Sequence, residues 1–500
     1  MNHSGLIAMA LAALLAACGT TPRPAPPAAP LPPVFAQGLG LERATRAEAD
    51  WWGVFADPAL DELVRRGLAA NLDVLQAVER VERSRALAAG AAADRAPGGS
   101  VAFGARAAQL SRLEAPGATR DERRTESATV GASVAWEVDL FGRLRDAARA
   151  ADARARAVEA DAAALRLAVG GEIANAWFAL NGARDQLQLT QRVVDNRRST
   201  LGLVLRRVAA GFASPLDEAR ARAELAAAEA DLPALEAART VAGHRLAVLL
   251  GASPSGFEAP PAPDRPPQPV TVRLPDPAQW AAQRPDLQAA EARLRARALD
   301  VEAVRAEFLP RLSIAGVLGF VAGSVSGLGA AGSTSWFAAP SLAVPLFDHA
   351  RIEARLQASR AEEREALLAY RQRILLATEE VESAVAQVRH GQTRLAALHE
   401  RARQAAVAER LAGRRFEAGG TDLLELLDAQ RSAQQAEIGL SVAVNLQRQH
   451  VVALQRALGA RFVPEPEATA AVRLATAPAS SPGLSVAGRA HGPRADRAGD

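Results

Sequence analysis

Two carboxylates near the C-terminal end of the chain, Glu425 and Asp428, have a type and spacing that suggest a function. They follow the pair Gly419-Gly420 and are three positions apart, so at the start of a helix they lie on one face. If copies of the chain surrounded a common axis, this face would gather the carboxylates into two rings, an arrangement that makes a pore favour cations. Alternatively, both are ordinary solvated acids at a helix N-terminus, where the helix dipole favours negative charge.

No residue pattern predicts catalysis, a cofactor or a metal site. The seven histidines are scattered, and none has a metal-ligand spacing to another His or to the cysteine. The glycines between Gly327 and Gly332 formally match a dinucleotide fingerprint, but they precede a strand-like segment instead of opening a helix after one. We interpret them as a hairpin loop. An NAD-dependent enzyme is an alternative that cofactor binding would reveal.

Cys18 is the only cysteine, and it ends an apolar N-terminal run. The run from Leu6 to Ala17, followed by Cys18-Gly19, resembles a bacterial lipobox. About a dozen apolar residues are too few to cross about 30 Å of hydrocarbon as a helix, so we interpret 1–17 as a signal peptide whose removal leaves Cys18 to carry lipid. A chance cysteine in an ordinary signal peptide is the alternative. In lipoproteins an Asp after the cysteine usually retains the protein at the inner membrane, so Gly19 implies the outer membrane.

The charge distribution argues against a protein that binds polyanions. The formal net charge is +3, with 59 basic and 56 acidic residues, and every basic residue is an arginine interleaved with acids at helical spacing. We therefore predict no nucleic-acid partner.

Residues 18–44 are rich in Pro and Ala, and Thr20–Gln37 has too little apolar surface to fold, so a lipid-anchored tether is predicted there. Residues 464–500 are predicted to be a disordered tail.

The rest of the chain is one architecture built twice, with copies at 45–258 and 278–463 joined by the Pro-rich linker 259–277. Each copy has an opening helix, a strand pair, a long helix and a returning helix. The first opening helix is predicted from Asp57 to about Arg95, and the second from about Asp286 to Phe308.

The two long helices would each run for about 70 residues, or about 100 Å. They are predicted at Gly142–Ala210 and Asp348–Ala418, and turns at Gly211 and at Gly419-Gly420 lead into the returning helices Leu216–Leu250 and Leu423–Leu458. A heptad of apolar residues in the second long helix, including Ile374, Val381 and Val388, predicts coiled-coil packing.

Four alternating segments predict β-strands of about the length that a tilted strand needs to cross a bilayer. They are Val130–Leu140, Trp336–Leu346 and their partners near Val101–Leu113 and Arg311–Gly323. A four-stranded sheet has two open edges, and hydrocarbon offers their N–H and C=O groups no partner. Several copies must therefore share one barrel. Because eight strands would fill with side chains, a conduit needs three or more copies.

Several motifs occur together and in order over about residues 45 to 460. They are Trp51-Trp52 with Phe55 and Asp57-Pro58, the block Trp136–Arg143, Arg284-Pro285-Asp286-Leu287, and Val344–Asp348. Together they resemble the outer-membrane efflux protein family (TolC-like), and especially its lipoprotein branch serving resistance-nodulation-division systems.

The resemblance implies a mostly α fold with a small membrane β part. Three protomers would share a twelve-stranded outer-membrane β-barrel above a periplasmic α-barrel tunnel, with a periplasmic adaptor and an inner-membrane pump as partners. The implied function is a passive exit duct. The alternative is a periplasmic coiled-coil scaffold lipoprotein without a pore, which would not need the alternating strands.

The resemblance also implies a gate at the periplasmic tip. Gly419–Ala429 matches the family's tip motif, whose two acidic positions narrow the closed tunnel and here are Glu425 and Asp428. Asp217 occupies the matching position of the first copy, which in relatives helps latch the tip to an Arg and a Tyr.

This chain has Thr421 and Phe416 in place of that Arg and Tyr, and neither can supply the latch. We therefore expect another contact to hold the closed tip, with Arg414, Arg415 and Arg220 as the candidates.

Overall fold

The computed structural model describes residues 31–38, 42–43, 51–262 and 273–459. Cys18, the predicted signal peptide 1–17 and the predicted tail 464–500 lie outside the described residues. So do much of the predicted tether and the middle of the Pro-rich linker.

The order of elements confirms a mostly helical, internally duplicated fold. In chain order the elements are β1 Glu42–Arg43, α1 Pro58–Ala70, α2 Leu72–Ala93, β2 Gly98–Gln109, β3 Arg124–Val138, α3 Arg143–Ala209, α4 Pro215–Leu249, β4 Arg273–Leu274, α5 Pro277–Gln283, α6 Pro285–Arg305, β5 Arg311–Ala322, β6 Thr334–Ala343, α7 His349–Glu417 and α8 Leu423–Leu458. Each copy thus has a short helix, a second helix, a strand pair, a long helix and a returning helix.

The two long helices, α3 and α7, have 67 and 69 residues and are each about 100 Å long. Each packs against its returning helix, and α8 also packs against α3, which joins the two hairpins side by side. The predicted heptad residues Ile374, Val381 and Val388 are buried, together with Val451 and Leu454 of α8. The predicted coiled-coil packing is therefore confirmed along this part of α7.

The opening helix of the first copy is interrupted, so the prediction of one helix from Asp57 to Arg95 is wrong. Asn71 separates α1 from α2, and its Oδ1 accepts the backbone N–H groups of Asp73 and Val74 at 3.0 and 3.2 Å. Its Nδ2 donates to the Leu249 carbonyl at the end of α4, at 3.0 Å. An apolar period that continues through Leu72 and Leu75 conceals this internal N-cap in the sequence.

Arg284 separates α5 from α6 in the second copy, as Asn71 separates α1 from α2 in the first. Its guanidinium donates to the Ala457 carbonyl near the end of α8, at 2.8 Å, and to the Ala377 carbonyl of α7, at 3.2 Å. Asp286 and Glu380 pair with the same buried guanidinium. Both copies therefore use a buried donor between two helices to bind the end of the returning helix opposite the tip.

The four longer strands form one antiparallel sheet in the order β2-β3-β5-β6. The two copies join through β3 and β5, where Ala132 lies opposite Leu318 and Trp136 opposite Ile314. Strands β2 and β6 each have a neighbour on one side only, and Trp336 of β6 is 73% exposed. Within the described residues, the sheet of one protomer therefore has two open edges.

The strand predicted at Val130–Leu140 is observed at Arg124–Val138. It ends early because Asp139 turns away to bind the start of α3, accepting the backbone N–H groups of Leu144 and Arg145 at 3.1 and 2.7 Å. The second strand of the other pair likewise ends at Ala343, three residues short of the predicted Leu346.

Part of the predicted tether packs on the second copy, so the prediction that Thr20–Gln37 buries too little surface is wrong for its last residues. Phe35 is buried against Trp280, with the ring centroids 5.3 Å apart. The Glu382 carboxylate accepts the backbone N–H groups of Ala36 and Gln37 at 2.6 and 2.8 Å. The chain is thus attached to α7 before the first copy begins.

None of the helices that the structure describes has a stretch long and apolar enough to cross a membrane.

Candidate functional site at the hairpin tips

The tip of each helical hairpin is the turn between a long helix and its returning helix. Both long helices end in a Schellman motif, in which a glycine takes a left-handed conformation. Gly211 has φ 79° and Gly419 has φ 74°. The following backbone N–H groups, of Phe212 and Gly420, donate back to the Arg207 and Arg415 carbonyls at 2.8 and 2.7 Å.

The three positions predicted for the tip turns therefore differ in whether their backbone conformation requires glycine. Gly211 and Gly419 require a conformation that other residues adopt only with strain. Gly420 does not have a positive φ, and a Cβ there would lie 3.5 Å from the Arg415 carbonyl oxygen, which is ordinary contact.

Asp217 completes a capping box at the start of α4. Its carboxylate accepts from the Ser214 backbone N–H at 3.0 Å and from the Ser214 hydroxyl at 2.8 Å, while the Ser214 Oγ accepts from the Asp217 N–H at 3.2 Å. These bonds, and the nearby charge of Arg220, hold the pKa of Asp217 below its usual range. A lowered carboxyl pKa stabilises the fold above the unfolded-state pKa, and that contribution is lost as the pH falls through the lowered value. The capping box therefore persists at neutral and mildly acidic pH.

Glu425 and Asp428 lie in the first turns of α8, and both are exposed. Asp422 caps this helix by accepting the Glu425 backbone N–H at 2.9 Å. The Glu425 carboxylate also accepts the Thr421 hydroxyl and pairs with Arg415 at 3.3 Å. The structure thus places Glu425 beside a cation of its own hairpin.

The candidate latch arginines remain within their own hairpins. Arg415 bonds Glu425 and the Gly420 carbonyl, both in the second hairpin. Arg220 acts electrostatically on Asp217, in the first. In the part of the chain that the structure describes, no hydrogen bond or ion pair joins Arg414, Arg415 or Arg220 to the opposite hairpin.

Arg207, a residue that the sequence pattern did not single out, reaches from the first hairpin to the second. Its guanidinium carbon lies 4.1 Å from the centroid of the Phe416 ring. Its Nη2 donates to the Phe416 carbonyl and, at 3.3 Å, to the Glu417 carbonyl.

Phe416 is only 4% exposed, and it belongs to an apolar cluster built from all four hairpin helices. We call this set the tip cluster; its buried members are Leu201, Val204, Ala221, Ala412, Phe416, Leu423, Leu426 and Leu427. Phe416 thus occupies a packed position between the two hairpins.

A polar hub, which the sequence also did not reveal, joins the hairpins above the tip cluster. Arg197 is 3% exposed and donates to the side-chain carbonyl of Gln430, which is 7% exposed. The Gln430 amide donates to Asn196 at 2.9 Å and to Thr200 at 3.1 Å. Glu224 lies 3.6 Å from Arg197. Burial lowers the pKa of Arg197, and the Glu224 carboxylate opposes that change. We use "polar hub" for these five residues.

The chain is similar to outer-membrane efflux proteins in sequence. The chain matches the family model described as Outer membrane efflux protein over residues 63–252 and again over 277–460. It is 33% identical to the outer membrane protein OprJ of Pseudomonas aeruginosa over 458 residues, which cover 91% of this chain and 95% of that protein. It is 31% identical to the pyoverdine export outer membrane protein OpmQ of Pseudomonas putida over 473 residues, covering 92% and 97%.

Two solved structures share the fold. The outer-membrane channel OprN has a TM-score of 0.82 at 33% identity, covering 89% of this chain and 100% of that one. The open state of the Neisseria gonorrhoeae MtrE outer membrane channel has a TM-score of 0.78 at 26% identity, covering 89% and 99%.

Proposed function

We propose, from the premise that this chain belongs to the outer membrane efflux protein family, that it works as the passive exit duct of a tripartite efflux system. The observation that carries this proposal is that two helical hairpins, whose long helices are each about 100 Å, join a four-stranded sheet that has two open edges. A sheet in a bilayer and a tube below it form one continuous path for solutes. In this proposal the energy for transport comes from a partner.

The oligomer in this proposal is a homotrimer. Pairing the open edge of β2 with the open edge of β6 in a neighbouring copy satisfies the unpaired backbone groups of both strands. Three copies supply twelve strands, which is enough to leave a lumen. The proposal places this barrel in the outer membrane, with Cys18 as a lipid anchor and the long helices in the periplasm.

The partners in this proposal are a periplasmic adaptor and an inner-membrane pump of the resistance-nodulation-division class. The relative OpmQ is described as a pyoverdine export protein, which supports an export role. The adaptor or pump would bind the hairpin tips and favour their open packing.

The gate in this proposal is formed by Glu425 and Asp428 of the second hairpin, with Asp217 of the first. Both Glu425 and Asp428 are exposed on the early turns of α8, where a threefold axis would bring them together. Asp217 fixes the start of α4 through its capping box. Carboxylate rings at this constriction would favour cations.

The test is the electrical conductance of the purified, lipid-modified protein in planar lipid bilayers. We expect discrete conductance steps, and we expect none from detergent alone or from protein unfolded before reconstitution. A folded, correctly modified protein that never conducts would support the scaffold alternative and refute the duct.

A further inference from the structure

The tip contact between Arg207 and Phe416 uses the whole guanidinium group. Its central carbon, Cζ, lies over the Phe416 ring, 4.1 Å from the centroid. An edge nitrogen, Nη2, donates to the carbonyls of Phe416 and Glu417. A planar cation can make a stacking contact and in-plane hydrogen bonds together, whereas an ammonium group cannot.

The carbonyls that Arg207 binds lie at the C-terminal end of α7, where the Phe416 carbonyl also accepts the Gly419 N–H at 3.0 Å. The last carbonyls of a helix have no partner within the helix and carry the negative end of its dipole. Arg207 brings a positive charge to this end from a different hairpin. The contact therefore combines cation–π attraction, charge-assisted hydrogen bonding and a favourable dipole interaction.

The contact joins the two hairpins at the tip, at the ends of both long helices. Arg207 lies in the last turn of α3, and Phe416 lies in the last turn of α7. The polar hub lies ten residues before Arg207 on α3, or about 15 Å higher. If the hairpins separate at the tip, the contact of Arg207 with α7 must break, and Phe416 must leave the tip cluster.

We propose that Arg207 is the latch of this duct: it holds the first hairpin to the end of α7 in the closed tip and releases it when the tip opens. This inference rests on the proposed function and deepens it. The compact tip cluster supports the assignment to the closed arrangement, because dilating a ring of helices separates them and exposes the apolar residues that they share. Arg207 is a positioning residue, since it acts on the packing of the hairpins.

The chain offers a matched control on the same helix. Arg198 is an exposed arginine of α3 that pairs with Asp195 and, at 3.0 Å, with Glu229 of α4. Both partners belong to the first hairpin, so the loss of Arg198 leaves the contact between hairpins intact. Arg198→Met removes the same charge and the same length of side chain as Arg207→Met.

The experiment compares wild type, Arg207→Met, Arg207→Lys and Arg198→Met as full-length protein in planar bilayers, together with the thermal unfolding temperature of each. For Arg207→Met we expect the time-averaged conductance to rise by about tenfold through longer openings, the factor expected from losing one such contact. Arg198→Met should match wild type. Arg207→Lys should lie between them, because it retains the charge and loses the planar face.

Three results would overturn the latch. In the first, wild type conducts and Arg207→Met conducts equally, even with a lower unfolding temperature, which would make the contact merely structural. In the second, Arg207→Met conducts less, which would assign the contact to the open tip. In the third, Arg198→Met rises as much as Arg207→Met, which would attribute the effect to lost charge. If wild type itself does not conduct, the duct proposal fails instead.

A second variant keeps the proposal testable if Arg207→Met does not assemble. Phe416→Leu retains an apolar side chain in the tip cluster and removes the aromatic face below Arg207. We expect its time-averaged conductance to rise by a smaller factor than that of Arg207→Met, because the hydrogen bonds to the α7 carbonyls remain. Wild-type conductance in an assembled Phe416→Leu protein would overturn the latch.

Discussion

At the scale of single residues, the two acids of the tip have different surroundings. Glu425 is paired with Arg415 and accepts a hydrogen bond from Thr421. Asp428 is one turn further along α8 and is exposed to solvent. The positive charge of Arg415 compensates part of the charge of Glu425, so Asp428 should contribute more to the field in the lumen.

This difference predicts unequal effects on ion selectivity. Asp428→Asn should lower the cation-to-anion permeability ratio by up to about fivefold, the effect of about 1 kcal/mol between charges in water. Glu425→Gln should lower it less. The reversal potential across a KCl gradient in planar bilayers measures both, and equal shifts, or a larger shift for Glu425→Gln, would contradict the prediction. Arg415→Gln is the informative control, because freeing the Glu425 carboxylate should raise the ratio.

The sequence identified these acids but not their partners. Their spacing on a helix placed both on one face, because three positions are close to one helical turn. The pairing of Glu425 with Arg415 crosses the Gly419 turn. It depends on how the Schellman motif orients the two helices, which the acid spacing does not encode.

At the scale of elements, the tip turns are fixed by helix-end geometry. Both long helices end in the same motif, and in both the glycine with positive φ and the residue after it donate back to carbonyls of the last turn. The neighbouring Gly420 has an ordinary conformation, so two adjacent glycines offer a direct comparison of the same substitution.

We predict that Gly419→Ala destabilises the protein, whereas Gly420→Ala is tolerated. A left-handed conformation costs a residue with a Cβ about 1–2 kcal/mol, and Gly419→Ala introduces one such residue per protomer. Gly420→Ala should fall within about 0.5 kcal/mol of wild type. The apparent unfolding temperature, followed by circular dichroism, measures the difference, and Gly211→Ala should behave like Gly419→Ala. Equal unfolding temperatures for Gly419→Ala and Gly420→Ala would contradict this account.

Element boundaries were predicted less well where a single side chain ends a helix or strand although the apolar pattern continues past it. Periodicity carried the first opening helix through Asn71 and the strand through Asp139. Each of these residues turns to cap the helix that follows it. One side chain is enough to cap a helix, whereas a hydrophobic period is a pattern over many residues. A prediction from the period therefore extends past the residue at which the helix or strand ends.

At the scale of the whole molecule, the proposed assembly depends on the open edges of the sheet. Among the described residues of one protomer, strands β2 and β6 each lack a partner on one side. The exposed apolar side chains on them, including Val101, Phe103 and Trp336, belong to surfaces that a monomer in water would bury poorly. We therefore expect assembly to stabilise these strands.

We predict that proline at Val101 or Ala102 prevents trimer formation. Neighbouring residues of an antiparallel strand direct their N–H groups to opposite sides. One of the two substitutions therefore removes a bond to β3, and the other removes a bond across the open edge. Native mass spectrometry should show mainly trimer for wild type and mainly monomer for both variants. Leu113→Pro, in the exposed loop after β2, should remain trimeric, and trimers from both strand variants would contradict edge pairing.

The sequence by itself determined the doubled architecture, the lengths of the two long helices, the strand pairs and the place of the tip turns. All of these follow from local periods and from residues such as glycine and proline, whose backbone preferences act over a few positions. Only the tertiary structure decided which residues hold the hairpins together. Arg207 and Phe416, and likewise Arg197 and Gln430, are more than 200 positions apart.

Nothing in the local pattern distinguishes Arg207 from its neighbour Arg206, because both are arginines in the last turn of α3. Their different roles come from which face of α3 meets the second hairpin. That choice depends on the packing of α3 against α8, where many small apolar contacts add up.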